Sequence, residues 1–225
     1  MDKKENSRNL GWRPKAYLFD FEGTLVTFEW NLKEGMAAML KGIVSSGYSL
    51  EKLKKTPSYA DIHNYTGEIK EQNKESTIMD IINNIFDQFD ADALTRWSLN
   101  PCAKSTIKKL KNKGFPVGLV TNVGSIAIEG AINTLGLENL FDSVITRNDV
   151  RRLKPSPEGL HMASKALKVN PDSVLLIGDS FDDIGAARVA GMKCCFIKGG
   201  QDIVHLEYPH KPMITINSLE ELINN

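Results

Sequence analysis

Acidic side chains follow two short apolar stretches of the chain. Asp20 and Glu22 come directly after the apolar residues 16–19. Asp179 and Asp183 follow a second apolar stretch much later in the chain. Carboxylates can act as nucleophiles, as general acids or bases, and as ligands of a hard cation. A turn residue at the end of a strand is the alternative interpretation of Asp20 when it is considered alone.

Further polar groups follow the same kind of apolar stretch. Thr121 and Asn122 come after residues 116–120, and Lys154 precedes Pro155 at the start of a predicted helix. Lys154 could bring the positive charge of an ammonium group to the same place. Acids that converge in one crevice repel each other unless a cation is present, and for phosphate chemistry that cation is Mg²⁺. Together these residues indicate a carboxylate-rich site for a hard cation.

The apolar stretches are predicted to be strands that position these groups. A run this short and this uniformly apolar is typical of a strand in a parallel sheet that is covered on both faces. Six strands are predicted, at residues 16–19, 116–120, 143–146, 174–177, 193–197 and 213–216. From residue 101 onward strands alternate with helices, which predicts an α/β fold with a doubly wound, Rossmann-like parallel sheet. In such a sheet the carboxyl ends of the strands meet at one edge, where ligands bind.

A long helical region separates the first strand from the second. Helices are predicted at residues 32–44, 59–67, 77–89 and 91–97, with no convincing strand among them. We therefore expect a small all-helical cap domain at residues 30–99, a core domain at residues 15–29 and 100–225, and an N-terminal tail at residues 1–14. Five side chains around this region could face a substrate, although packing or ordinary surface is the favoured interpretation of each: Phe28, Trp30, Tyr59, His63 and Tyr65.

The composition limits the classes of partner and the compartment. The 225 residues carry 28 basic and 28 acidic side chains, so the basic excess expected for a partner of nucleic acid or of an anionic membrane is absent. No transmembrane stretch is present, and residues 1–14 lack the apolar core of a signal peptide. The three cysteines show no disulfide framework and no metal-ligand spacing. These features predict a cytoplasmic protein, and they do not determine its oligomeric state.

Four segments in this order resemble the signatures of one enzyme superfamily. The segments are residues 20–24 (Asp-Phe-Glu-Gly-Thr), 120–122 (Val-Thr-Asn), 154–158 (Lys-Pro-Ser-Pro-Glu) and 178–183 (Gly-Asp-Ser-Phe-Asp-Asp). On these residues the chain resembles the haloacid dehalogenase-like hydrolase superfamily, in the group with a helical cap inserted after the first strand. The resemblance is specific for the superfamily, but it says little about the substrate.

The resemblance implies a role for five polar residues of the first three segments. Asp20 would be the nucleophile that forms an aspartyl-phosphate, and Glu22 would be the general acid and base. Both would also contact Mg²⁺, Glu22 through its backbone carbonyl. Thr121 and the amide of Asn122 would hold phosphate oxygens, and Lys154 would neutralise the charge on Asp20 and on the phosphoryl group.

The same resemblance assigns the remaining members of the site. Asp179 would ligate Mg²⁺, with Asp183 in the inner or outer shell of ligands, and Gly23 would let the backbone come close to the phosphate. One residue departs from the usual pattern, because Glu22 stands where most phosphatases of the group have Asp. The extra methylene changes the reach of the carboxylate by about 1 Å. The dehalogenases and phosphonatases of the superfamily lack an acid at this position, which argues against both activities.

The expected function is therefore Mg²⁺-dependent hydrolysis of a small phosphorylated metabolite. A phosphomutase is the alternative within the same superfamily, since it would use the same core with a cap that excludes water better. A non-enzymatic phospho-switch or scaffold is the alternative from another class, because receiver domains also place a phosphorylatable Asp, an acidic Mg²⁺ site and a Lys at a sheet edge.

Overall fold

Six short strands form one parallel sheet at the centre of the computed structural model, which describes residues 11–199 and 212–224. The strands are β1 (Ala16–Phe19), β2 (Val117–Val120), β3 (Ser143–Ile145), β4 (Val174–Gly178), β5 (Lys193–Ile197) and β6 (Ile214–Ile216). Their spatial order is β3-β2-β1-β4-β5-β6, and every neighbouring pair is parallel. The predicted doubly wound α/β fold is confirmed, with β1 between β2 and β4.

Helices cover this sheet and also form the region between β1 and β2. The helices are α1 (Leu32–Ser45), α2 (Tyr59–Gln72), α3 (Ile78–Leu94), α4 (Ala103–Asn112), α5 (Ser125–Thr134), α6 (Glu158–Ala166), α7 (Phe181–Val189) and α8 (Glu221–Asn224). Two short 3₁₀ turns lie at Arg147–Asp149 and Pro171–Ser173. Among the residues that the structure describes, no helix has both the length and the apolar character needed to span a bilayer.

The strands are buried on both faces, which explains their uniformly apolar sequences. Tyr17 and Phe19 of β1 pack into one core, and Ala16 and Leu18 pack into the other. The same alternation places Cys194 and Cys195 of β5 in opposite cores, where both are free thiols. Successive strand side chains point to opposite faces, so these two neighbours do not pair.

Residues 30–99, which form most of the region between β1 and β2, are called the helical insert here. Its helices α1, α2 and α3 pack against one another, and no strand is assigned between them. The two predicted helices at residues 77–89 and 91–97 are in fact one continuous helix, α3. Asp90 does not interrupt it, because its buried side chain accepts hydrogen bonds from Gly124 and Arg147 rather than competing for the backbone of its own helix.

Two chain segments connect the helical insert to the sheet, and they lie side by side. Val26 and Leu99 form an isolated antiparallel bridge, and the amide of Thr27 donates to the carbonyl of Ser98 at 2.9 Å. The side-chain amide of Asn100 donates to three carbonyls of the outgoing segment, at 3.0–3.3 Å. This arrangement brings the end of the insert back to the loop that follows β1. The first ten residues of the predicted N-terminal tail lie outside the described part of the chain.

Candidate active site

The strand order brings three of the predicted site residues to one edge of the sheet. Asp20 follows β1, Thr121 follows β2 and Asp179 follows β4, and these strands are neighbours in parallel register. The amide of Asp20 extends the ladder by donating to the carbonyl of Ile177 at 2.9 Å. All three side chains line the same pocket, which encloses about 490 Å³ of empty space, part of it open solvent.

Three buried carboxylates form a cluster at this edge. One carboxylate oxygen from each of Asp20, Asp179 and Asp183 lies within 4.8 Å of the others. Lys154 joins the cluster, since its Nζ contacts Asp20 Oδ1, lies 2.7 Å from Asp183 Oδ1 and donates to the carbonyl of Val120 at 3.1 Å. The structure therefore brings together the carboxylates of Asp20, Asp179 and Asp183 and the ammonium group of Lys154.

Local structure at the start of α7 holds Asp183 in place. Asp183 Oδ2 accepts from the amide of Ser180 at 3.1 Å and from its hydroxyl at 2.6 Å, while Ser180 Oγ accepts from the amide of Asp183. This reciprocal pair is a capping box that satisfies donors at the helix N-terminus. One carboxylate oxygen of Asp183 thus caps the N-terminus of α7, and the other accepts a hydrogen bond from Lys154. The hydroxyl of Thr24 similarly donates to Asp179 Oδ1 at 3.1 Å.

Gly23 is required by its backbone conformation and by its neighbour. Its φ is +75°, a region that residues with a Cβ rarely adopt. A Cβ at this position would lie 2.1 Å from Asp179 Oδ2, so a side chain would displace a carboxylate of the cluster. Glycine here makes room for Asp179. Its predicted contact with a phosphate stays a prediction.

Thr121 and Asn122 are buried beside Lys154. Asn122 Oδ1 accepts from the amide of Lys154 at 3.0 Å, and its Nδ2 donates to the carbonyl of Lys154 and to the Tyr59 hydroxyl, both at 3.3 Å. Thr121 Oγ1 accepts from the amide of Val123 at 3.1 Å. The side chain of Asn122 therefore fixes the backbone of Lys154 from both sides. Phosphate binding by the Thr121 hydroxyl and the Asn122 amide stays a prediction.

Glu22 lies on the pocket wall, but its carboxylate is not a member of the acid cluster. Its Oε1 accepts a hydrogen bond of 2.8 Å from Nε1 of Trp97, on the segment that returns from the helical insert. Burial raises the pKa of Glu22 to about 8; the bond from Trp97 opposes this, and the negative charges of Asp90 and Asp20 add to it. A carboxyl group with this pKa is protonated at neutral pH and can donate a proton. The predicted metal contact of its backbone carbonyl stays a prediction.

Burial and mutual charge also shift the pKa values of the paired groups. Burial alone would lower the pKa of Lys154, but the carboxylates of Asp183 and Asp20 outweigh it and raise that pKa, so the ammonium stays charged. Burial raises the pKa of Asp20; Lys154 opposes that rise, and the charge of Asp183 adds to it. Buried acids that destabilise one another's charge are a common feature of sites that hold a cation.

The donor set suits a hard divalent cation. Each of the three clustered groups offers a carboxylate oxygen, and the described cluster contains neither thiol nor imidazole. Mg²⁺ prefers oxygen ligands, commonly one or two carboxylates completed by water and substrate oxygens. Asp20, Asp179 and Asp183 are therefore the residues that fit such an ion.

Aromatic residues of the helical insert and its approach form the other side of the pocket. Phe28, Trp30 and Tyr59 all line it. These three residues therefore line the pocket in addition to any role in packing. For the other two candidates packing or ordinary surface is an adequate interpretation, since the His63 ring packs against Phe86 with centroids 5.6 Å apart and the Tyr65 hydroxyl donates to a backbone carbonyl.

A buried ion pair between α3 and the segment after β3 was not predicted. Asp90, on α3 of the insert, accepts from the Trp30 indole at 3.0 Å, from the amide of Gly124 at 2.9 Å and from Arg147 at 2.7 Å. The other terminal nitrogen of Arg147 contacts Asp87. This network joins the helical insert to residues that follow β2 and β3, and two of its members, Trp30 and Asp90, line the pocket.

The sequence contained a signal for Asp90. The residues of α3 at positions 78, 82, 86 and 90 follow one another at intervals of four, and all are buried. An acid at the fourth position of an otherwise apolar face requires a buried partner. Arg147 supplies the opposite charge. No local pattern marks Arg147, which is 57 residues away in the chain.

Comparisons with known proteins agree with this fold. The family model described as haloacid dehalogenase-like hydrolase matches residues 17–197, which is more than half of the chain. A pyrophosphatase PpaX of Bacillus cereus (strain G9842) is 25% identical over 214 residues, covering 94% of this chain and 95% of the relative.

Two solved structures are also similar. One, from Haemophilus somnus 129PT, is described as a predicted phosphoglycolate phosphatase; it has a TM-score of 0.65 at 19% identity and covers 94% of this chain and 97% of its own. The other is β-phosphoglucomutase from Clostridium difficile, with a TM-score of 0.63 at 20% identity and 93% coverage of both chains. At these identities the structures support the fold. With the strand order, the acid cluster and the family match over residues 17–197, this chain belongs to the haloacid dehalogenase-like hydrolases.

Proposed function

We propose that this hydrolase is a Mg²⁺-dependent phosphatase of a small phosphorylated metabolite and that it works through an aspartyl-phosphate on Asp20. The observation that carries the proposal is the position of the Asp20 carboxylate. It contacts the ammonium of Lys154, lies within 4.8 Å of Asp179 and Asp183, and faces a pocket. An anionic nucleophile can approach an anionic phosphate only where positive charge is held close by.

The described residues account for both halves of the reaction. Asp20 attacks phosphorus, and the bond between phosphorus and the leaving oxygen breaks while Glu22 delivers its proton to that oxygen. Glu22, now a carboxylate, takes a proton from water as the water attacks phosphorus, and Asp20 is released with inorganic phosphate. Lys154 offsets the charge on Asp20 and on the phosphoryl oxygens, which Thr121, the amide of Asn122 and the backbone at Gly23 would hold.

Mg²⁺ would be held by the carboxylates of Asp20, Asp179 and Asp183 and by the carbonyl of Glu22. When bound it supplies positive charge beside the phosphoryl group. The helical insert would serve as a cap domain, with its boundaries at residues 30 and 99, over a core formed by residues 15–29 and 100–225. A cytoplasmic location and a small-molecule substrate are part of the same proposal.

Release of inorganic phosphate from p-nitrophenyl phosphate tests the proposal. We expect multiple turnovers in the presence of Mg²⁺, loss of activity with EDTA and recovery when Mg²⁺ is added in excess. Ca²⁺, which prefers more ligands at longer distances, should not restore the activity. Activity that persists in EDTA, or turnover that stops after one equivalent of phosphate, would contradict a metal-dependent phosphatase.

Trp97 is proposed as a positioning residue that acts through Glu22. The Trp97→Phe variant keeps a ring that can pack edge-to-face against Phe21, as Trp97 does at 5.0 Å, but it loses the 2.8 Å bond to Glu22. We expect kcat to fall about tenfold. Glu22 becomes a carboxylate as it delivers its proton, a lost hydrogen bond to a charged group is worth on the order of 1.5–3 kcal/mol, and only part of that is specific to the transition state.

Two substrates with different leaving groups distinguish a positioning role of Trp97 from a general structural effect of the Trp97→Phe change. The comparison uses kcat/KM, which reports the steps up to formation of the aspartyl-phosphate and not its hydrolysis. By this measure a leaving group that needs no proton, such as p-nitrophenolate, should be cleaved nearly as well by the variant as by the natural protein, whereas an unactivated alkyl phosphate should show the full loss. Equal losses for the two substrates would argue that Trp97 has only a structural role.

Product analysis distinguishes hydrolysis from the phosphomutase alternative. The likeness to β-phosphoglucomutase is at 20% identity and supports only the fold. A mutase would transfer phosphate to a second hydroxyl and release little of it to water. Membership of a hydrolase family gives no support to the phospho-switch alternative, which steady turnover would exclude.

A further inference from the structure

The pocket wall beyond the acid cluster is built from aromatic rings. Phe28, Trp30, Tyr59 and Phe86 line the pocket together. The Trp30 ring lies 5.9 Å from Tyr59 and 5.7 Å from Phe86, with interplanar angles below 40°. Phe28 and Tyr59 are only half-buried, so parts of both side chains remain available for contact with a substrate. Because these rings line the same pocket as Asp20, they are the apolar surface available to the leaving group of an ester bound there.

Positive charge in the pocket lining comes from one described side chain. Among the described residues that line it, Lys154 is the only cationic side chain, and it is bound to Asp20 and Asp183. Arg147 lies near the wall, but its side chain is 1% exposed and its guanidinium stacks on the Phe86 ring, 4.6 Å from the centroid. Both of its terminal nitrogens are bound by Asp87 and Asp90, so it offers no charge to a ligand.

A second negative charge would find no unpaired cation among the described lining residues. Asp90 and Asp182 line the pocket outside the three-carboxylate cluster, and Asp90 is already paired with Arg147. A carboxylate or second phosphate on the leaving group would be desolvated against rings without a cationic partner. An unpaired charge in such surroundings is strongly unfavourable.

Hydrogen bonds to neighbouring residues fix the positions of Trp30, Tyr59 and Asp90 in the pocket lining. The Trp30 indole donates to Asp90, which is held in turn by Arg147 and by the amide of Gly124. The Tyr59 hydroxyl accepts from Asn122. A preformed aromatic surface binds a planar group without paying for its own ordering.

We propose that the substrate is a phosphate monoester of an uncharged alcohol that carries an aromatic or heteroaromatic ring, and that Phe28, Trp30 and Tyr59 bind the ring. This inference rests on the proposed phosphatase function and specifies its leaving group. It also distinguishes this chain from the similar proteins named as a pyrophosphatase and as a predicted phosphoglycolate phosphatase, since pyrophosphate and phosphoglycolate both carry further negative charge on the leaving group.

A matched set of esters tests the inference. The probes are benzyl phosphate, 4-carboxybenzyl phosphate and cyclohexylmethyl phosphate, with phosphoglycolate and pyrophosphate as the anionic comparison. The three matched probes all have a primary alkoxide leaving group, so differences in chemical reactivity are small. We expect kcat/KM for benzyl phosphate to exceed that for its carboxylated analogue and for both anionic compounds about tenfold or more. It should exceed that for the cyclohexyl ester about threefold or more, because aromatic pairing adds to the burial of apolar area.

Two variants of Phe28 examine the wall itself. Phe28→Lys introduces a cation and should reduce the preference for benzyl over 4-carboxybenzyl phosphate at least about fivefold. Val44→Lys adds the same charge on an exposed position of α1, outside the pocket lining, and should leave the preference unchanged. Phe28→Leu keeps an apolar side chain and should lose most of the preference for benzyl over cyclohexylmethyl phosphate. Each result is a ratio for one enzyme preparation, so partial misfolding of a variant cancels.

The possible outcomes separate this inference from the proposed function. Phosphate release with equal or greater kcat/KM for the anionic esters would overturn the inference and leave the phosphatase proposal standing. No release from any ester in Mg²⁺ would overturn both. A natural preference for benzyl phosphate that neither Phe28 variant alters would also overturn the inference, because the ring would then be bound elsewhere.

Discussion

Replacing Asp20 by Asn is expected to reduce the release of phosphate by on the order of a thousandfold or more, because an amide oxygen cannot form the aspartyl-phosphate and removal of a nucleophile disables both halves of the reaction. Asn has nearly the same shape as Asp. Lys154 loses one of its two carboxylate partners but keeps its bonds to Asp183 and to the carbonyl of Val120, so the protein should remain folded. Steady-state release of phosphate from benzyl or p-nitrophenyl phosphate in Mg²⁺ measures the effect.

A matched control and a second measurement make the Asp20 prediction specific. Asp172→Asn makes the same chemical change at an exposed position before β4, at the opposite edge of the sheet, and should leave activity within about twofold. Acid quenching during turnover should trap a phosphoryl group on the natural protein that hydroxylamine removes, and the Asp20→Asn variant should trap none. Unaltered turnover by the Asp20→Asn variant would contradict the proposed mechanism.

Replacing Arg147 by Met is expected to lower the free energy of unfolding by about 3–5 kcal/mol, the usual effect of removing one partner of a buried ion pair. The Arg147 side chain is 1% exposed, whereas the Asp90 side chain it neutralises is 3% exposed and cannot be rehydrated. Asp87 is 43% exposed and can recover contact with water, so the loss arises mainly at Asp90. Loss of the cation–π contact between the Arg147 guanidinium and the Phe86 ring adds to the destabilisation. Urea unfolding at pH 7 measures the change.

Two further variants test the reason for the Arg147 prediction. Arg147→Met combined with Asp90→Asn should be more stable than Arg147→Met alone, because the second change removes the uncompensated buried charge. Arg96→Met removes an exposed arginine that is paired with Asp92 on the surface, and it should have little effect on unfolding. If Arg147→Met unfolds at the same urea concentration as Arg96→Met, the buried pair is not what joins the insert to the sheet domain.

Much of the fold follows from local patterns in the chain. Uniformly apolar runs of four or five residues mark β1, β2, β4 and β5, because a strand buried on both faces needs apolar side chains at every position. The alternation of strands with helices then leaves few topologies to consider, and a parallel sheet must bring the strand ends to one edge. That reasoning was sufficient to place Asp20, Thr121 and Asp179 together.

Element boundaries and the interpretation of individual polar residues were less accessible from the sequence. A break in α3 at Asp90 is a reasonable expectation where only propensity is considered, because Asp competes for the helix backbone. The carboxylate instead finds three donors from outside its own helix, and the helix continues to Leu94. A requirement for glycine at position 23 was expected, but not the carboxylate of Asp179 that occupies the space of its missing side chain.

The sequence by itself determined the α/β class, the edge of the sheet where the candidate site lies and the acid, amide and ammonium groups found there, since strand and helix periodicity and the order of motifs are local properties of the chain. Only the tertiary structure decided how these groups are supported and what lies opposite them. Trp97 reaches Glu22 across 75 positions and Arg147 reaches Asp90 across 57, and the aromatic wall is assembled from three separate segments. Such contacts depend on how the helical insert packs against the sheet, which no local pattern encodes.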